Sequence, residues 1–568
     1  MGPFNLNTDD QQVIRMHFKE MNRRRHVMAI FAASCLMFGR IQAADDLTRP
    51  LHASPDGHFL AQPDGEPFFW LADTAWPLFV RLSRDDADQY FRDRAEKGFT
   101  VIQAAILCGP WDNLGVANRY GALPLMDKDL AHPNPKYFEQ VDWIVDRAAH
   151  YGMRMALLPI FATSWISDPS QCGGGKVLDR KTARAYGLWL GKRYRGKGVV
   201  WILGGDTNPM RPANQKVSQD AQGDWVLDRQ NSDLTIIDYR PIYDSMAKGL
   251  IQGDGGRPLI SYHPSDGSFS GTAPPRMSLY FGDRDWYGLD MLQSGHNFNP
   301  AYISIPAAGY DFSWSAPSNY EIVFAEYRAQ PARPVIDGET RYEGEPVDII
   351  YDPAKGFWTA YDSRNAAYHA IFAGAAGHTF GNNSVHQLYN PALNNLEEHV
   401  VRPWQEELHS AGAQQMQHVK ALMLSRPYFT RIPDQSMLMS EPGSGVEHIS
   451  ATRDKDGSYA MIYLPRGQAV TVDMSKIAGT RAVGWWFDPR TGAATHIPNS
   501  IPTTGWKEFR SPVSGQENDW LLVLDEEERH FPAPGRTTSP TAAPAQAAQL
   551  QVESHCASVF QSGRFDQD

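Results

Sequence analysis

The stretch VVWILGGDTN, at residues 199–208, gives the strongest indication of the fold of this chain of 568 residues. Five apolar residues run without interruption, and two glycines and Asp206 follow them. The stretch PVIDGE, residues 334–339, repeats the pattern, because an apolar run leads through Gly338 to Glu339. Continuous apolar runs are typical of parallel strands that helices cover on both faces. We therefore predict an α/β fold in which both carboxylates follow parallel strands.

The region between residues 51 and 432, which contains both stretches, alternates short apolar runs with amphipathic segments. The runs that we predict as strands are residues 68–73, 100–107, 154–161, 199–203, 258–263, 288–293, 334–336 and 378–381. Strand and helix repeated in this way predict a (β/α)8 TIM barrel, which we assign to residues 44–432. A doubly wound open sheet is the alternative, but its glycine-rich phosphate turn is missing after the first run, where the sequence reads DTAW at residues 73–76.

Polar residues with a capping preference precede the predicted helices of the barrel. The N-cap residues that we predict are Ser83, Asn134, Asp179 and either Asp362 or Ser363. Pro135 directly follows Asn134, which is the position that proline favours in a helix. These signals support helices between the strands rather than long loops.

Beyond residue 432 the pattern changes to short strands with turn signals between them. The predicted strands are residues 458–464, 469–472, 484–487 and 520–524. Dipeptides such as Asp456-Gly457 and Thr491-Gly492 favour tight turns. We predict a small antiparallel β-domain of sandwich type over residues 433–527. Residues 528–568 are rich in proline, alanine, threonine and glutamine, so we predict a disordered tail.

Residues 1–43 have the pattern of an N-terminal extension and a signal peptide. Three arginines at residues 23–25 precede a short apolar run at residues 27–38, and Ala43 offers a small residue for cleavage. Met16 or Met21 would be a more ordinary start. We expect a secreted or periplasmic protein with no membrane span in the mature chain; an uncleaved anchor is the alternative.

The charge balance restricts the class of partner. Lys and Arg number 53 and Asp and Glu number 65, which gives a net charge of −12. A nucleic-acid or anionic-membrane binder would need a basic surface, so neither partner is expected. The four cysteines have no zinc spacing, and neither a P-loop nor an HExxH motif occurs. We expect no cofactor and no metal.

In a TIM barrel the active site lies at the carboxyl ends of the strands, so residues at those positions are candidates for catalysis. Asp206 follows the fourth predicted strand and Glu339 follows the seventh. Glycoside hydrolysis needs such a pair, one carboxyl group to protonate the leaving oxygen and the other to attack the anomeric carbon or activate water. Asp337 is a rival to Glu339, because alternation along a strand would point both to the same side. A structural role for both carboxylates is the other possibility.

Further polar and aromatic residues near the strand ends are candidates for binding sugar. The candidate substrate-binding residues are Asp73, Gln103, Trp111, Trp165, His263, Gln293, His296, Arg341 and Asn382. The two tryptophans could stack on sugar rings or pack in the core. Arg341 is positioned to receive a carboxylate of an acidic polysaccharide.

Four motifs give the chain a resemblance to a known family. FWLADTAW at 69–76, GFTVIQ at 98–103, WILGGDTN at 201–208 and PVIDGE at 334–339 resemble the apiosidase-like glycoside hydrolases of glycoside hydrolase family 140. The resemblance covers residues 51–432 and implies a TIM barrel that acts on plant cell-wall pectin and releases apiose from rhamnogalacturonan side chains, which suggests exo action. It also implies that Asp206 is the general acid/base and Glu339 the nucleophile.

Two departures and two alternatives qualify that implication. The polar stretch at residues 210–238 and the loop at 341–357 would reshape the pocket, and barrel specificity depends on such loops. The segment WWFDPRTG at 485–492 resembles the β-domain named for collagen binding that follows this barrel, although a packed accessory domain fits the residues better. The alternatives to a hydrolase are a non-catalytic glycan-binding protein and a polysaccharide lyase or esterase with a base such as His263.

Overall fold

The computed structural model describes residues 46–107, 116–161, 178–214, 216–219, 225–228, 230–265, 276–295, 318–347, 354–393, 399–400 and 402–536. The predicted signal segment at residues 1–43 lies outside them. Parallel strands follow one another through the first part of the described chain. They are β1 (Trp70–Thr74), β2 (Val101–Ala105), β3 (Arg154–Leu158), β4 (Val200–Gly204), β5 (Ile260–His263), β6 (Asp290–Gln293), β7 (Val335–Glu339) and β8 (Gly377–Phe380).

These strands close into a ring in chain order. Six of them form one sheet in the order β5, β4, β3, β2, β1 and β8, while β6 pairs with β7, all in parallel. Two backbone hydrogen bonds join the two sheets: Gly288 donates to Ile260 over 3.0 Å, and Ala376 donates to Val335 over 2.8 Å. The strand residues are buried from solvent on both faces. The predicted (β/α)8 TIM barrel is therefore confirmed.

Helices follow the strands around the outside of the ring. They are α1 (Leu78–Arg81), α2 (Arg84–Glu96), α3 (Pro135–His150), α4 (Arg180–Arg193), α5 (Arg240–Asp254), α6 (Ser278–Phe281), α7 (Asn319–Tyr327), α8 (Ala360–Phe372), α9 (Asn383–Gln387), α10 (Trp404–Glu407) and α11 (Ala411–Leu424). Ser83, Asn134 and Asp179 cap α2, α3 and α4 as predicted. The prediction for α8 is wrong by one turn: Thr359 is its N-cap, and the Asp362 carboxylate accepts the Thr359 backbone N–H over 2.8 Å.

Close contact between α4 and α5 fixes the outer wall beside β4 and β5. Gly187 and Gly191 lie on one face of α4, and Gly249 and Gly253 lie on the facing surface of α5. A Cβ atom placed on Gly191 would lie 2.2 Å from the Leu250 carbonyl oxygen. The two helices thus touch backbone to backbone, which only glycine permits at these positions.

The C-terminal β-domain is antiparallel, as the sequence predicts. Its strands are β9 (Arg431–Pro433), β10 (Ser450–Asp454), β11 (Tyr459–Leu464), β12 (Val470–Asp473), β13 (Arg481–Asp488), β14 (Ala493–Pro502), β15 (Trp506–Phe509) and β16 (Trp520–Glu526). The main sheet has the order β9, β10, β11, β16, β13 and β14, and β12 pairs separately with β15. The sequence patterns identified β11, β12, β13 and β16 and missed the other four.

The described residues of the barrel and of the β-domain belong to one compact unit, which begins at residue 48. Two buried, bidentate ion pairs connect them: Arg364 of α8 with Asp519, and Arg426 with Asp525 of β16. Part of the predicted disordered tail also packs here, because the Arg426 guanidinium lies 4.9 Å from the Phe531 ring. The prediction of disorder is therefore wrong for residues 528–536; residues 537–568 lie outside the described part.

The polar stretch after β4 forms two short antiparallel pairs. Met210–Asn214 pairs with Asp233–Asp238, and Val217–Gln219 pairs with Trp225–Leu227. This insertion follows Asp206 directly and lies at the carboxyl end of the barrel, where substrates bind in this fold. Among the described helices, none is long and apolar enough to cross a membrane.

Candidate active site

A sharp turn at the end of β4 sets the position of Asp206. Gly204 and Gly205 have φ values of +88° and +103°, and Asp206 itself has φ +43°. A Cβ atom at Gly204 would lie 2.4 Å from the His263 carbonyl oxygen, and one at Gly205 would lie 3.0 Å from the Phe161 ring. Glycine is required at both positions, so the GGD sequence brings the Asp206 side chain beside His263 of β5.

Three predicted residues meet at the ends of β4, β5 and β7. The His263 Nε2 atom lies 3.1 Å from Glu339 Oε2, and its Nδ1 atom lies 3.8 Å from Asp206 Oδ1. One polar atom from each of the three side chains lies within 4.8 Å of the other two. The Asp206 side chain is 36% exposed, whereas those of Glu339 and His263 are 6% and 0% exposed. The site therefore combines an open carboxylate with an enclosed one.

Opposing effects act on the charge of His263. Burial lowers the pKa of this imidazole, but the hydrogen bond and charge of Glu339, together with the charge of Asp206, raise it above its ordinary value of 6.5. The two acidic side chains thus make the imidazole easier to protonate than a free histidine.

Aromatic residues enclose the histidine. The Trp76 ring meets the His263 ring edge to face, with 5.4 Å between centroids, and meets the Phe161 ring at 5.3 Å. Trp76 follows β1 and is buried, as is Phe161 after β3. These rings exclude water from one side of His263 and strengthen its interactions with the carboxylates.

Tyr342 is a site residue that the sequence reasoning missed. Burial raises the pKa of Tyr342 well above its ordinary value, and the charges of Glu339 and Asp206 add to that effect. Its ring packs on His386 with centroids 4.8 Å apart, and a Cβ atom on Gly381 would lie 2.1 Å from it. Tyr342 is therefore a neutral phenol beside the two carboxylates. Its position three residues after Glu339 was the available signal.

Asp337 and Glu339 have separate environments, although simple alternation puts them on one side. The pairing of β6 with β7 shifts register between Leu292 and Gln293, so Gln293 lies opposite Glu339. The Asp337 carboxylate accepts the Ser294 backbone N–H over 3.2 Å, and burial raises its pKa to about 7. Glu339, and not Asp337, is the carboxylate that meets His263.

The two glutamines among the candidates line the inside of the barrel. Gln103 donates its side-chain N–H to the Gly338 carbonyl over 3.1 Å, which ties β2 to the residue before Glu339. Gln293 is buried in β6 opposite Glu339. Within the described part of the chain its Oε1 atom has no hydrogen-bond partner, so it could accept from a substrate hydroxyl.

The other described candidates lie away from the carboxylate pair. Asp73 is completely buried between β1 and α2 and accepts from Arg94 Nε at 2.6 Å and from the Tyr90 hydroxyl at 2.7 Å, so the structure does not bring it together with the carboxylate pair, and its role in binding substrate stays a prediction. Arg341 lies 5.2 Å from the Trp358 ring centroid and donates to Asn365 of α8 over 3.4 Å; its predicted role in binding substrate stays a prediction.

Asn382 caps a helix and also borders a cavity. Its side-chain oxygen accepts from the Ser384 N–H over 3.0 Å and caps α9, and its amide donates to Glu407 over 3.1 Å. It also borders a cavity on the same face of the barrel. Trp111, Trp165 and His296 lie outside the described residues, and their predicted roles stay predictions.

The carboxylates and His263 are also the group that could hold a metal ion by the spacing of their polar atoms. A metal ligand presents one ring nitrogen to an ion that the other ligands share. Here the two His263 nitrogens face different carboxylates, Nε2 toward Glu339 and Nδ1 toward Asp206. This geometry suits the sharing of a proton and charge better than metal coordination.

Comparisons with known proteins identify the class of protein to which this barrel belongs. Among solved structures, the chain is similar to a protein titled "Glycoside hydrolase", with 27% identity and a TM-score of 0.70 over 85% of this chain and 98% of that one. It is also similar to a glycoside hydrolase family 5 protein from Bacteroides vulgatus, with 25% identity and a TM-score of 0.71 over 87% of this chain and 97% of that one. The protein is a glycoside hydrolase.

A match to a family model over more than half of the chain defines the family. The model described as "Apiosidase-like, catalytic domain" matches residues 54–430, and the chain belongs to that family. Residues 432–525 match a model described as "Putative collagen-binding domain of a collagenase". The comparison with curated proteins gives no match. Membership of the numbered family 140 stays a prediction.

Proposed function

We propose that the protein is an exported, exo-acting glycoside hydrolase that releases a terminal sugar, apiose, from the rhamnogalacturonan side chains of pectin. The observation that carries the catalytic part of the proposal is the pair of carboxylates, Asp206 and Glu339, on either side of His263. The family description supports the sugar. The signal-peptide pattern of residues 1–43 supports export to the periplasm or the medium.

Glu339 is the nucleophile in this proposal. Its Oε2 atom is held by the His263 imidazole, and its burial keeps water from competing for the anomeric carbon. Asp206 is the general acid, because its more exposed position lets it reach both the leaving oxygen and an incoming water. Polar atoms within 4.8 Å support the shorter separation of about 5–5.5 Å, which goes with retention of configuration.

Two steps then complete the reaction. In the first, Glu339 attacks the anomeric carbon while Asp206 gives its proton to the leaving oxygen, so a glycosyl-enzyme ester forms and the rest of the glycan leaves. In the second, Asp206 takes a proton from water, which attacks the same carbon and frees Glu339. The buried Tyr342 is neutral beside both groups, so it can donate a hydrogen bond without adding negative charge.

The test is release of monosaccharide from pectic and other polysaccharides by the wild type and three variants. Glu339→Gln and Asp206→Asn should each lower kcat by roughly 10²–10⁴-fold, because each removes one of the two proposed catalytic groups. Asp337→Asn is the matched control, since this buried carboxylate lies two residues from Glu339 and away from His263; it should keep wild-type turnover within a few-fold. Full activity of Glu339→Gln would refute the catalytic assignment, and release of another sugar would refute the substrate.

Treatment with a chelator adds a separate check on the chemistry. If the carboxylates act without a metal, dialysis against EDTA should leave kcat unchanged, and added Zn²⁺ should inhibit by occupying the same three side chains. Loss of activity on dialysis and recovery with a divalent ion would instead make Asp206, His263 and Glu339 metal ligands.

A further inference from the structure

A second concave site lies at the carboxyl end of the barrel, beside the continuations of β7 and β8. It is a cavity of about 240 Å³. Its lining includes Gly344, Phe357, Asn382, Ser384, Arg402 and Glu407. Backbone hydrogen bonds join its two walls, since Glu343 donates to Gly381 over 3.0 Å and Asn383 donates to Glu343 over 2.8 Å. The cavity is therefore built into the extended ends of the two strands.

The rim of this cavity has an aromatic ring and a charged pair. Phe357 is 38% exposed, which is high for a phenylalanine beside a concave surface. The Arg402 side chain is 67% exposed, and its Nη1 atom lies 3.4 Å from Glu407 Oε1. Because Arg402 and Glu407 carry opposite charges, the pair adds no net charge to the rim; His399 also lines the cavity.

Amide and hydroxyl groups complete the lining. Asn382 holds Glu407 through a 3.1 Å hydrogen bond, and the Ser384 side chain is buried near it. Aromatic faces bind the apolar face of a sugar ring, while side chains that both donate and accept suit its hydroxyl groups. The combination fits an uncharged sugar ring with neighbouring hydroxyls.

The chain itself limits the distance from this cavity to the proposed nucleophile. Gly344 follows Glu339 by five positions, and a fully extended chain spans at most about 3.6 Å per step, or about 18 Å in total. A short oligosaccharide can cover that span. One substrate molecule could therefore reach both the carboxylate pair and the cavity.

We propose that this cavity is a distal subsite that binds a neutral sugar unit of the glycan whose terminal residue is cleaved at Glu339. The proposal rests on the proposed function, and it makes the enzyme specific for the glycan that carries the terminal sugar as well as for that sugar. Phe357 would stack on the ring of the distal unit. Arg402 and Glu407 would bind its hydroxyls.

Binding measured without turnover tests the proposal. In the Glu339→Gln background, calorimetry follows two probes: p-nitrophenyl apioside, and an apiose-ended pectic oligosaccharide with several units beyond the scissile bond. Phe357→Ala and Arg402→Ala should each weaken binding of the oligosaccharide by about tenfold and leave binding of the aryl apioside unchanged. Phe324→Ala on α7 is the matched control, since that phenylalanine is 41% exposed and does not line the cavity.

The outcomes separate this proposal from the one it rests on. The subsite is overturned by any of three results: the substitutions weaken binding of both probes equally, they weaken binding of neither probe, or the oligosaccharide does not bind. Weaker oligosaccharide binding in Phe357→Ala, when the wild type cleaves neither probe, supports the subsite and refutes the proposed function. An oligosaccharide whose carboxyl groups have been reduced provides a third arm: if Phe357→Ala and Arg402→Ala leave its binding unchanged, the unit bound is acidic and the neutral assignment is wrong.

Discussion

His263 links the two carboxylates electrostatically, and this makes a prediction about pH. Its pKa in the folded protein lies above the ordinary value of 6.5, since the hydrogen bond and charge of Glu339 outweigh burial. A raised pKa contributes stability that is fully present below pH 6.5 and is lost as pH rises through the folded value. The free energy of unfolding of the wild type, relative to His263→Gln, should therefore fall as pH increases above 6.5.

Denaturation in urea at a series of pH values between about 5 and 9 measures this difference. His132→Gln is the control, because that histidine is exposed and its Nδ1 lies 3.4 Å from Asp129. A surface pair of this kind contributes little, so the control should show no comparable trend. A wild-type advantage over His263→Gln that grows with pH would contradict the assigned charge state.

Asp337 makes a second prediction about pH, in which burial is the main cause of the raised pKa. Its pKa of about 7 exceeds the ordinary 3.8, because burial disfavours its charged form. Folding therefore becomes less favourable between pH 3.8 and pH 7, by at most about 4 kcal/mol at about 1.4 kcal/mol per pKa unit. Asp337→Asn should gain stability over the wild type across that range and hold the gain above pH 7. Thermal melts at pH 4 and pH 8 compare the two proteins.

Asp88→Asn provides the contrasting control for that experiment. A hydrogen bond from Arg147 lowers the pKa of Asp88, so its contribution is lost as pH falls. The stability lost in Asp88→Asn should thus be larger at pH 8 than at low pH. If Asp337→Asn followed the same trend, burial would not be the dominant influence on Asp337.

Single residues also show where sequence reasoning about the site ends. Asp206, Glu339 and His263 could be predicted, because each directly follows or ends an apolar run. Asp73 ends such a run too, but its side chain turns outward to Arg94, and a run buried on both faces does not reveal which way a side chain points. Asp337 and Glu339 could not be distinguished, because the register shift beside Gln293 leaves no mark in the sequence.

Among the helices, the contact between α4 and α5 predicts that a glycine-to-alanine substitution destabilises the protein, although such a substitution usually stabilises a helix. Gly→Ala inside a helix ordinarily stabilises it by about 1 kcal/mol. In Gly191→Ala the new Cβ would lie 2.2 Å from the Leu250 carbonyl oxygen and 2.8 Å from the Asp254 nitrogen, and backbone atoms cannot rotate away. The variant should be destabilised by at least about 2 kcal/mol, as for other overpacked cores. Chemical denaturation measures the change.

The neighbouring exposed residue supplies the control for this substitution. Lys192→Ala lies one position further along α4 and faces solvent, so its effect should stay within about 0.5 kcal/mol. Because α4 and α5 flank β4 and β5, Gly191→Ala should also lower activity through displacement of Asp206 and His263. A stabilised Gly191→Ala variant would show that the two helices are further apart than the structure has them.

The strands of the barrel were easier to predict than those of the β-domain. Every barrel strand is buried along its whole length, and each overlaps a predicted one. β14 is mostly exposed, and so it lacks the apolar pattern that identifies buried strands. The start of α8 was misassigned because Asp362 resembles an N-cap, whereas it is the third helical residue of a capping box that Thr359 begins.

For the whole molecule, the ion pair between Arg364 and Asp519 predicts that the barrel and the β-domain unfold together. Both side chains are almost fully buried, and two hydrogen bonds of 2.6 and 2.9 Å join them. Asp519→Ala would leave the Arg364 charge buried without its partner, which costs about 3–5 kcal/mol. Calorimetry should show one unfolding transition in the wild type and one at a lower temperature in the variant.

An apolar replacement of both residues distinguishes the lost ion pair from a general disturbance of the interface. Arg364→Met with Asp519→Leu removes both charges and fills a similar volume, so it should recover most of the stability that Asp519→Ala loses. Because α8 lies between β7 and β8, separation of the β-domain should also loosen the segments that hold Glu339 and the neighbouring cavity. Two separate transitions in Asp519→Ala, with the barrel melting at the wild-type temperature, would mean that the β-domain does not support the barrel. In that case the β-domain would have a role other than stabilising the active site.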